Sequence, residues 1–293
     1  MTTDKVAADS QYTTIAVERR EGGVTTVTLN RPDKKNAMNP PMHEEMYDVL
    51  TRLEGDRSTR VLVITGAGDS FCAGQDLKEY FKEVGDDQAR RNRNKRISDD
   101  WRNRLLRMFP KPTIAMVNGF CFGGAFTIVG ACDFAIAADD AKFGLSEVNW
   151  GAMPGGMVSK VIGTQMSYRD ALYYAMTGEQ FDGKRAAEMR WINSSVPRAE
   201  LSTKTYELAD RLAKMDAAAL QSTKEAFKVV QEMPFDVAFN WLLAKSNELK
   251  FRHSIEGHGE EGLDKFLRKE FKPGMGSHTL AGAEGERGEG PSR

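Results

Sequence analysis

The sequence predicts an α/β protein whose C-terminal third is mostly helix. Three observations carry that expectation: β-branched runs recur through the first half of the chain, helical periodicity alternates with them, and strand signals thin after residue 151. Strands that alternate with helices bury the faces of a largely parallel sheet under helical layers.

Residues 1–11 are polar, with too few apolar groups to offset the entropy of ordering, and read as a flexible N-terminus. TTIAVERR and VTTVTLN, separated by Glu21-Gly22-Gly23, read as an antiparallel hairpin. From Pro40 to Leu53 the apolar residues Met42, Met46, Val49, Leu50 and Leu53 recur at helical spacing, and VLVITG (61–66) then reads as a buried strand. A second strand, TIAMVNG (113–119), enters the small-residue stretch GGAFTIVGAC (123–132), and DFAIAA (133–138) is a third. Farther on, SYRDALYYAMTG, DGKRAAEMRWI, LSTKTYELADRLAKM and residues 217–232 carry helical periodicity. The tail after Pro273 is rich in glycine and charge and reads as disordered. The implied organisation is a core over 12–200, a helical region over 201–272 and a tail over 273–293, with no internal repeat period.

The 293 residues allow a sizeable core, and 41 basic against 42 acidic side chains leave no overall field to attract nucleic acid or a membrane surface. An anionic ligand must therefore be held locally. One dense basic cluster, DDQARRNRNKRISDDWRNRLLR, is either the solvated side of a helix or a surface facing phosphates. Cys72, Cys121 and Cys132 form no CxxC pair and are odd in number, which fits a reducing cytoplasm rather than a disulfide framework. The N-terminus lacks the apolar core of a secretory leader, and no apolar run approaches the ~20 residues needed to span a bilayer.

HExxH, GxxxxGK[ST] and GxSxG are missing, GAG at 66–68 lacks a third glycine, and His43, His253, His258 and His278 have no metal-ligand spacing. No metal site is expected. Two segments instead end a strand in small residues and begin a helix: SFCAGQDLKEYF (70–81) and NGFCFGGAFTIVGACD (118–133). Such turns admit a ligand to the backbone, and the first N–H groups of a helix lack intrahelical partners; two converging donors make an oxyanion hole, although either turn alone also suits tight packing. In AKFGLSEVNWGAMPGG (141–156) a single carboxylate, Glu147, lies among apolar and small residues. Desolvation there would raise its pKa toward the range of a general acid/base, and a buried glutamate paired to an arginine is the alternative.

Together these three segments and NRPDKKNAMN (30–39) resemble, in order and spacing over residues 12–272, the crotonase (enoyl-CoA hydratase) superfamily. The resemblance implies a spiral core of repeated ββα-type units and C-terminal helices that pack on a neighbour in a homotrimer or a dimer of trimers. It also implies a coenzyme A thioester as substrate, with no metal or other cofactor. The backbone N–H groups of Gln75 and Gly124 would grip the thioester carbonyl oxygen, while Lys35, Ala37, Ala73, Asp76 and Leu77 would line the coenzyme A site. Ordinary hydratases of the superfamily carry two catalytic glutamates; the matching positions here hold Thr127 and Glu147.

AGQDLKEYF, KPTIAMVNGFCFGGAF, FGLSEVNWG, DALYYAMTG and AAEMR are similar to the hydroxycinnamoyl-CoA (feruloyl-CoA) hydratase-lyases, which have a hydroxyl residue at the position of Thr127 and one catalytic glutamate at that of Glu147. That subgroup holds the substrate's phenol with two tyrosines. Tyr80 matches one; the other position falls on Leu243, with Trp241 nearby. Methionine is usual in the subgroup where Gln75 stands. The implied activity is hydration of a hydroxycinnamoyl-CoA followed by retro-aldol cleavage to an aromatic aldehyde and acetyl-CoA. The alternatives are a hydratase or isomerase of another acyl-CoA, and a non-catalytic acyl-CoA-binding protein on the same scaffold. Thr127 would orient water or carboxylate, or bond to its own helix backbone.

Overall fold

The computed structural model describes residues 7–8, 11–83, 85–256 and 267–268. The expected tail, 273–293, lies outside the described residues, as do 257–266 and 269–272 of the expected C-terminal helical region. The chain forms two compact units, Met1–Ala213 and Lys214–Arg293.

In the first unit, β1 (Ala7–Ala8) pairs antiparallel with β2 (Ile15–Arg20). This corrects the expectation of a flexible N-terminus at residues 7–8, where sheet-edge backbone bonds order a segment whose side chains carry no strand signal. The expected hairpin joins β2 to β3 (Val24–Leu29). Asn39 then caps α1 (Pro40–Gly55) by accepting from the Met42 N–H, and the expected stripe from Met42 to Leu53 is buried. β4 (Val61–Gly66) runs parallel to β3 and is buried along its whole length, which explains its unbroken apolar run.

From β4 onward the chain repeats a unit. β4 is followed at once by β5 (Ser70–Cys72), β6 (Thr113–Val117) by β7 (Phe120–Phe122), and β8 (Phe134–Ala138) by β9 (Lys142–Gly144). After each pair comes a helix: α2 (Gln88–Asp100), α3 (Ala125–Ala131) and α4 (Val158–Gln165). With β11 (Ser194–Val196), the strands β1 to β4, β6 and β8 build a seven-stranded sheet in the order β1-β2-β3-β4-β6-β8-β11. The three-residue strands β5, β7 and β9, with β10 (Gln180–Asp182), build a second sheet in the order β10-β9-β7-β5. This is the ββα spiral that the sequence resemblance implies. Phe71, Trp101, Phe109, Phe126 and Phe143 are among the largest side chains of its buried core, and all three cysteines are buried and free.

Three helices complete the unit: α5 (Tyr168–Thr177), α6 (Gly183–Glu188) and α7 (Leu201–Ala213). α7 moves the boundary from the expected residue 200 to 213, because it buries Leu201, Thr205, Ala209 and Leu212 and packs on β4, β6 and β8. The second unit pairs α8 (Ala217–Val230) with α9 (Phe235–Glu256). Lys245 of α9 bridges Glu225 of α8, and His253 meets Asp216, the N-cap of α8, at 3.0 Å. Among the described residues no helix is long and apolar enough to cross a membrane.

Candidate active site

Three short parallel strands of the second sheet position the candidate site. β5, β7 and β9 are neighbours in the small sheet, and each ends within a few residues of one component: Gly74-Gln75 after β5, Gly123-Gly124 after β7 and Glu147 after β9. Gly74 has φ +92°, and a Cβ there would stand 2.8 Å from the Phe122 carbonyl oxygen and 3.4 Å from the Gly124 nitrogen. The two turns therefore touch, and only glycine permits the approach. Among the described residues neither the Gln75 nor the Gly124 N–H donates to a protein acceptor. Two free donors on adjoining turns are what an oxyanion requires.

Glu147 completes the group. A Cβ on Gly123, at φ +51°, would lie 3.0 Å from Glu147 Oε1, so the carboxylate rests against the second turn. The side chain is 9% exposed, and its Oε2 has no hydrogen-bond partner. Burial raises its pKa above the ordinary carboxylate value. Glu147 forms no ion pair with an arginine among the described residues, so the alternative of a paired structural glutamate is not realised.

The expected coenzyme A residues come together from two loops. The Ala73 N–H donates to the Lys35 carbonyl, the Met38 N–H to the Gly74 carbonyl and the Asp76 N–H to the Met38 carbonyl, at 2.8–2.9 Å. Arg31 ties the loops by donating to the Ala37 carbonyl at 2.6 Å and to Asp76 Oδ2 at 3.0 Å. Buried Asn36 donates to the Ala67 and Ser70 carbonyls, holding Lys35 and itself in the left-handed region. Lys35 lies over the Phe120 ring at 4.1 Å, and Leu77 is exposed.

Beneath the two glycine turns runs a buried polar chain. Trp101 Nε1, which can only donate, bonds His43 Nδ1 at 2.9 Å, so the proton of His43 is on Nε2 and is donated to Gln75 Oε1 at 2.8 Å. Burial first, then the charge of Arg102, lowers the His43 pKa to about 3, so this imidazole stays neutral. Gln75 Nε2 donates to Ser98 Oγ at 3.1 Å, and Ser98 also bonds the phenol of half-buried Tyr80. Arg102 Nη2 donates to Ser98 Oγ at 2.7 Å, and Nη1 to Thr127 Oγ1 at 3.1 Å. The Thr127 hydroxyl in turn donates to the Gly124 carbonyl at 2.7 Å, the backbone-bonded arrangement named above as the alternative to orienting water.

The enoyl-CoA hydratase/isomerase family model matches residues 19–272. The chain belongs to the enoyl-CoA hydratase/isomerase family. It is an enzyme of that family, 46% identical over 269 residues to a hydroxycinnamoyl-CoA hydratase-lyase of Pseudomonas fluorescens, covering 91% of this chain and 97% of that one. An enoyl-CoA hydratase of Mycobacterium tuberculosis is 32% identical, over 76% of this chain and 84% of its own. Among solved structures, an enoyl-CoA hydratase from Geobacillus kaustophilus superposes with TM-score 0.81 at 25% identity, covering 90% of this chain and 97% of that one. One from Mycobacterium smegmatis gives 0.79 at 25%, covering 88% and 97%.

Within this family member the structure groups Gln75, Tyr80, Gly124, Thr127 and Glu147 in the first unit. Trp241 and Leu243 stand on α9 of the second, Trp241 half-buried and Leu243 exposed. Sequence reasoning missed Arg102, His43, Ser98 and Trp101. The basic cluster is mostly solvated, with Arg90, Arg93, Lys95 and Arg96 exposed, yet Asn94, Ser98, Trp101, Arg102 and Leu106 are buried. Their helical spacing, with a tryptophan in an otherwise charged run, is the signal that marks a buried face.

Proposed function

We propose that the protein hydrates a hydroxycinnamoyl-CoA thioester and then cleaves the product to an aromatic aldehyde and acetyl-CoA, without metal or redox cofactor. The observation that carries this reading is the lone carboxylate of Glu147, desolvated and partnerless at one oxygen, resting on the turn that presents the Gly124 N–H. Identity to the Pseudomonas hydratase-lyase over nearly its full length supports the substrate class.

In the first half Glu147 accepts a proton from water, the oxygen bonds to the β-carbon, and the displaced electron pair moves onto the thioester oxygen held by the Gln75 and Gly124 N–H groups. Glu147 then returns that proton to the α-carbon and is again ionised for the second half. In the second half Glu147 takes the β-hydroxyl proton, the bond between the α- and β-carbons breaks, and the same donors hold the acetyl-CoA enolate until it is protonated. Each donor acts on an enolate twice per turnover, which places its stabilisation on transition states rather than on bound substrate. The coenzyme A moiety is assigned to Lys35, Ala37, Ala73, Asp76 and Leu77, and the ring hydroxyl to Tyr80. By sequence resemblance Leu243, which cannot donate, falls at the subgroup's second phenol-binding position, with Trp241 two residues before it.

A second reading, hydration or isomerisation of another acyl-CoA, is favoured by Leu243 alone. Mass spectrometry of products from feruloyl-, coumaroyl-, cinnamoyl- and crotonyl-CoA decides between them. Aldehyde with equimolar acetyl-CoA is expected from the hydroxylated substrates; a stable β-hydroxyacyl-CoA from all four would sink the cleavage step. We also propose a homotrimer or dimer of trimers in the cytoplasm, since Phe235, Phe239, Phe251 and Ile255 leave α9 with exposed apolar groups that suit packing on a neighbouring copy.

A further inference from the structure

Among the described residues Arg102 is the one buried guanidinium against the proposed site, and the mechanism proposed for that site makes no use of it. Its donors are accounted for. Nε donates to the Ser98 carbonyl at 2.9 Å, Nη2 to Ser98 Oγ and toward Asp99 Oδ1 at 3.6 Å, and Nη1 to Thr127 Oγ1 and the Gly124 carbonyl at 3.1 and 3.3 Å. The Asp99 side chain is 40% exposed, so among the described residues no carboxylate of equal burial neutralises the charge. Burying an arginine this way is costly, and a hydrophobic side chain of similar size is often at least as stabilising, so packing alone does not account for a cation here.

Its placement links both halves of the oxyanion hole. The Gly124 carbonyl accepts from Arg102 Nη1, Thr127 Oγ1 and the Thr127 N–H, which fixes the plane of the turn behind the Gly124 donor. Through Ser98 the same guanidinium reaches the Gln75 side-chain amide, whose other end is held by His43 and Trp101. A Cβ on Gly124 would lie 3.1 Å from Arg102 Nη1 and 3.7 Å from Gln75 Cγ, so the charge stands beside the space between the two donors. In so water-poor a site a fixed positive charge acts on a nearby enolate far more strongly than in water.

We propose that Arg102 is a positioning residue that clamps the Gly124 turn to the Gln75 turn through Thr127 and Ser98 and sets its charge beside the developing enolate. The inference rests on the thioester reading above. Its geometry also gives the polar Gln75 side chain a task, as the anchor of the first turn to the clamp.

The test reads carbonyl polarisation directly. Cinnamoyl-CoA absorbs in the near ultraviolet, and an oxyanion hole shifts the band of the bound thioester to longer wavelength. Bound to the Glu147→Gln protein, whose turnover should be at least ~10²-fold slower, cinnamoyl-CoA is expected to show the shift, and addition of Arg102→Met to reduce it by more than half. On the wild-type background Arg102→Met is expected to lower kcat by about 10- to 100-fold, below the ~10²- to 10³-fold cost of losing a direct oxyanion donor, with KM changed by less than about threefold. Arg102→Lys should be intermediate in both, because an ammonium cannot reach Ser98, Thr127 and Gly124 together. It supplies the reading if the methionine variant does not fold. An unchanged shift in a folded Arg102 variant, even with lowered thermal stability, overturns the inference alone. No shift in the Glu147→Gln protein itself would overturn the thioester reading and this inference with it.

Discussion

Glu147 and Arg102 are buried against neighbouring glycines: the carboxylate of one would meet a Cβ on Gly123, and the guanidinium of the other a Cβ on Gly124, at 3.0 and 3.1 Å. Arg102 is bonded to Ser98, Thr127 and the Gly124 carbonyl, whereas Glu147 Oε2 has no partner. Burial lowers the pKa of the guanidinium and raises that of the carboxylate, so each is pushed toward its neutral form. Only for the carboxylate does that push lead toward the working pH range, since an arginine remains charged in any protein. A group that must exchange protons is left short of partners, and one that must stay still is given all of them.

Gly124→Val tests the shared turn and should have the largest effect. The added methyls enter the space between Arg102 and Gln75, and kcat should fall by ~10²- to 10³-fold, the scale of a lost oxyanion donor. A folded, active valine variant would move the thioester oxygen elsewhere. Glu147→Gln should lower kcat by at least ~10²-fold while thioester affinity, measured by calorimetry, stays within a few-fold. In the wild type the acid limb of kcat/KM should lie above the ordinary glutamate range, because Glu147 must be ionised to accept a proton and burial holds its pKa up. An acid limb near the solvent value would show that Glu147 titrates as an exposed group.

A smaller effect is expected at the ring end of the substrate. With Tyr80 as its one phenol donor, the wild type should discriminate between coumaroyl- and cinnamoyl-CoA by well under the ~10⁴-fold typical of sites built around a hydroxyl. Tyr80→Phe should reduce the ratio of kcat/KM values further and Leu243→Tyr raise it. Wild-type rejection of cinnamoyl-CoA by ~10⁴-fold would mean that another residue supplies the second donor.

The smallest effect is on stability. A carboxylate whose folded-state pKa is raised opposes folding when ionised; the penalty is absent below the unfolded pKa and complete above the folded one. Glu147→Gln should therefore melt above wild type near ~pH 8, with the difference vanishing toward ~pH 4. An equal difference in Tm at both values would indicate that ionisation of Glu147 plays no part in it.

Much of this site was legible in the sequence because its working parts are local. Glycine turns and a glutamate amid small residues announce themselves in a dozen positions. The hairpin, β4, β6 and α1 were legible for the same reason: their period is written into contiguous side chains. The second sheet was not, because three-residue strands are too short to show a period, and Ala7–Ala8 acquires its strand only from β2. Nor was the clamp. Arg102 bonds Thr127 and His43 bonds Gln75 across intervals of 25 and 32 residues, and nothing local separates Arg102 from its solvated neighbours except the spacing of Ser98 and Trp101.

The arrangement of β5, β7 and β9 has a bearing on how the enzyme fails. Each strand is three residues long, each pairs with the next, and each carries one part of the proposed site at its end. Few backbone bonds hold them, so amide protons there should exchange with solvent through partial openings that leave the seven-stranded sheet intact. Because the strands support one another, such an opening would displace the Gln75 and Gly124 N–H groups and the Glu147 carboxylate as one event. Inactivation on warming should then be a single cooperative step that precedes loss of the larger sheet, rather than a gradual loosening of one residue at a time.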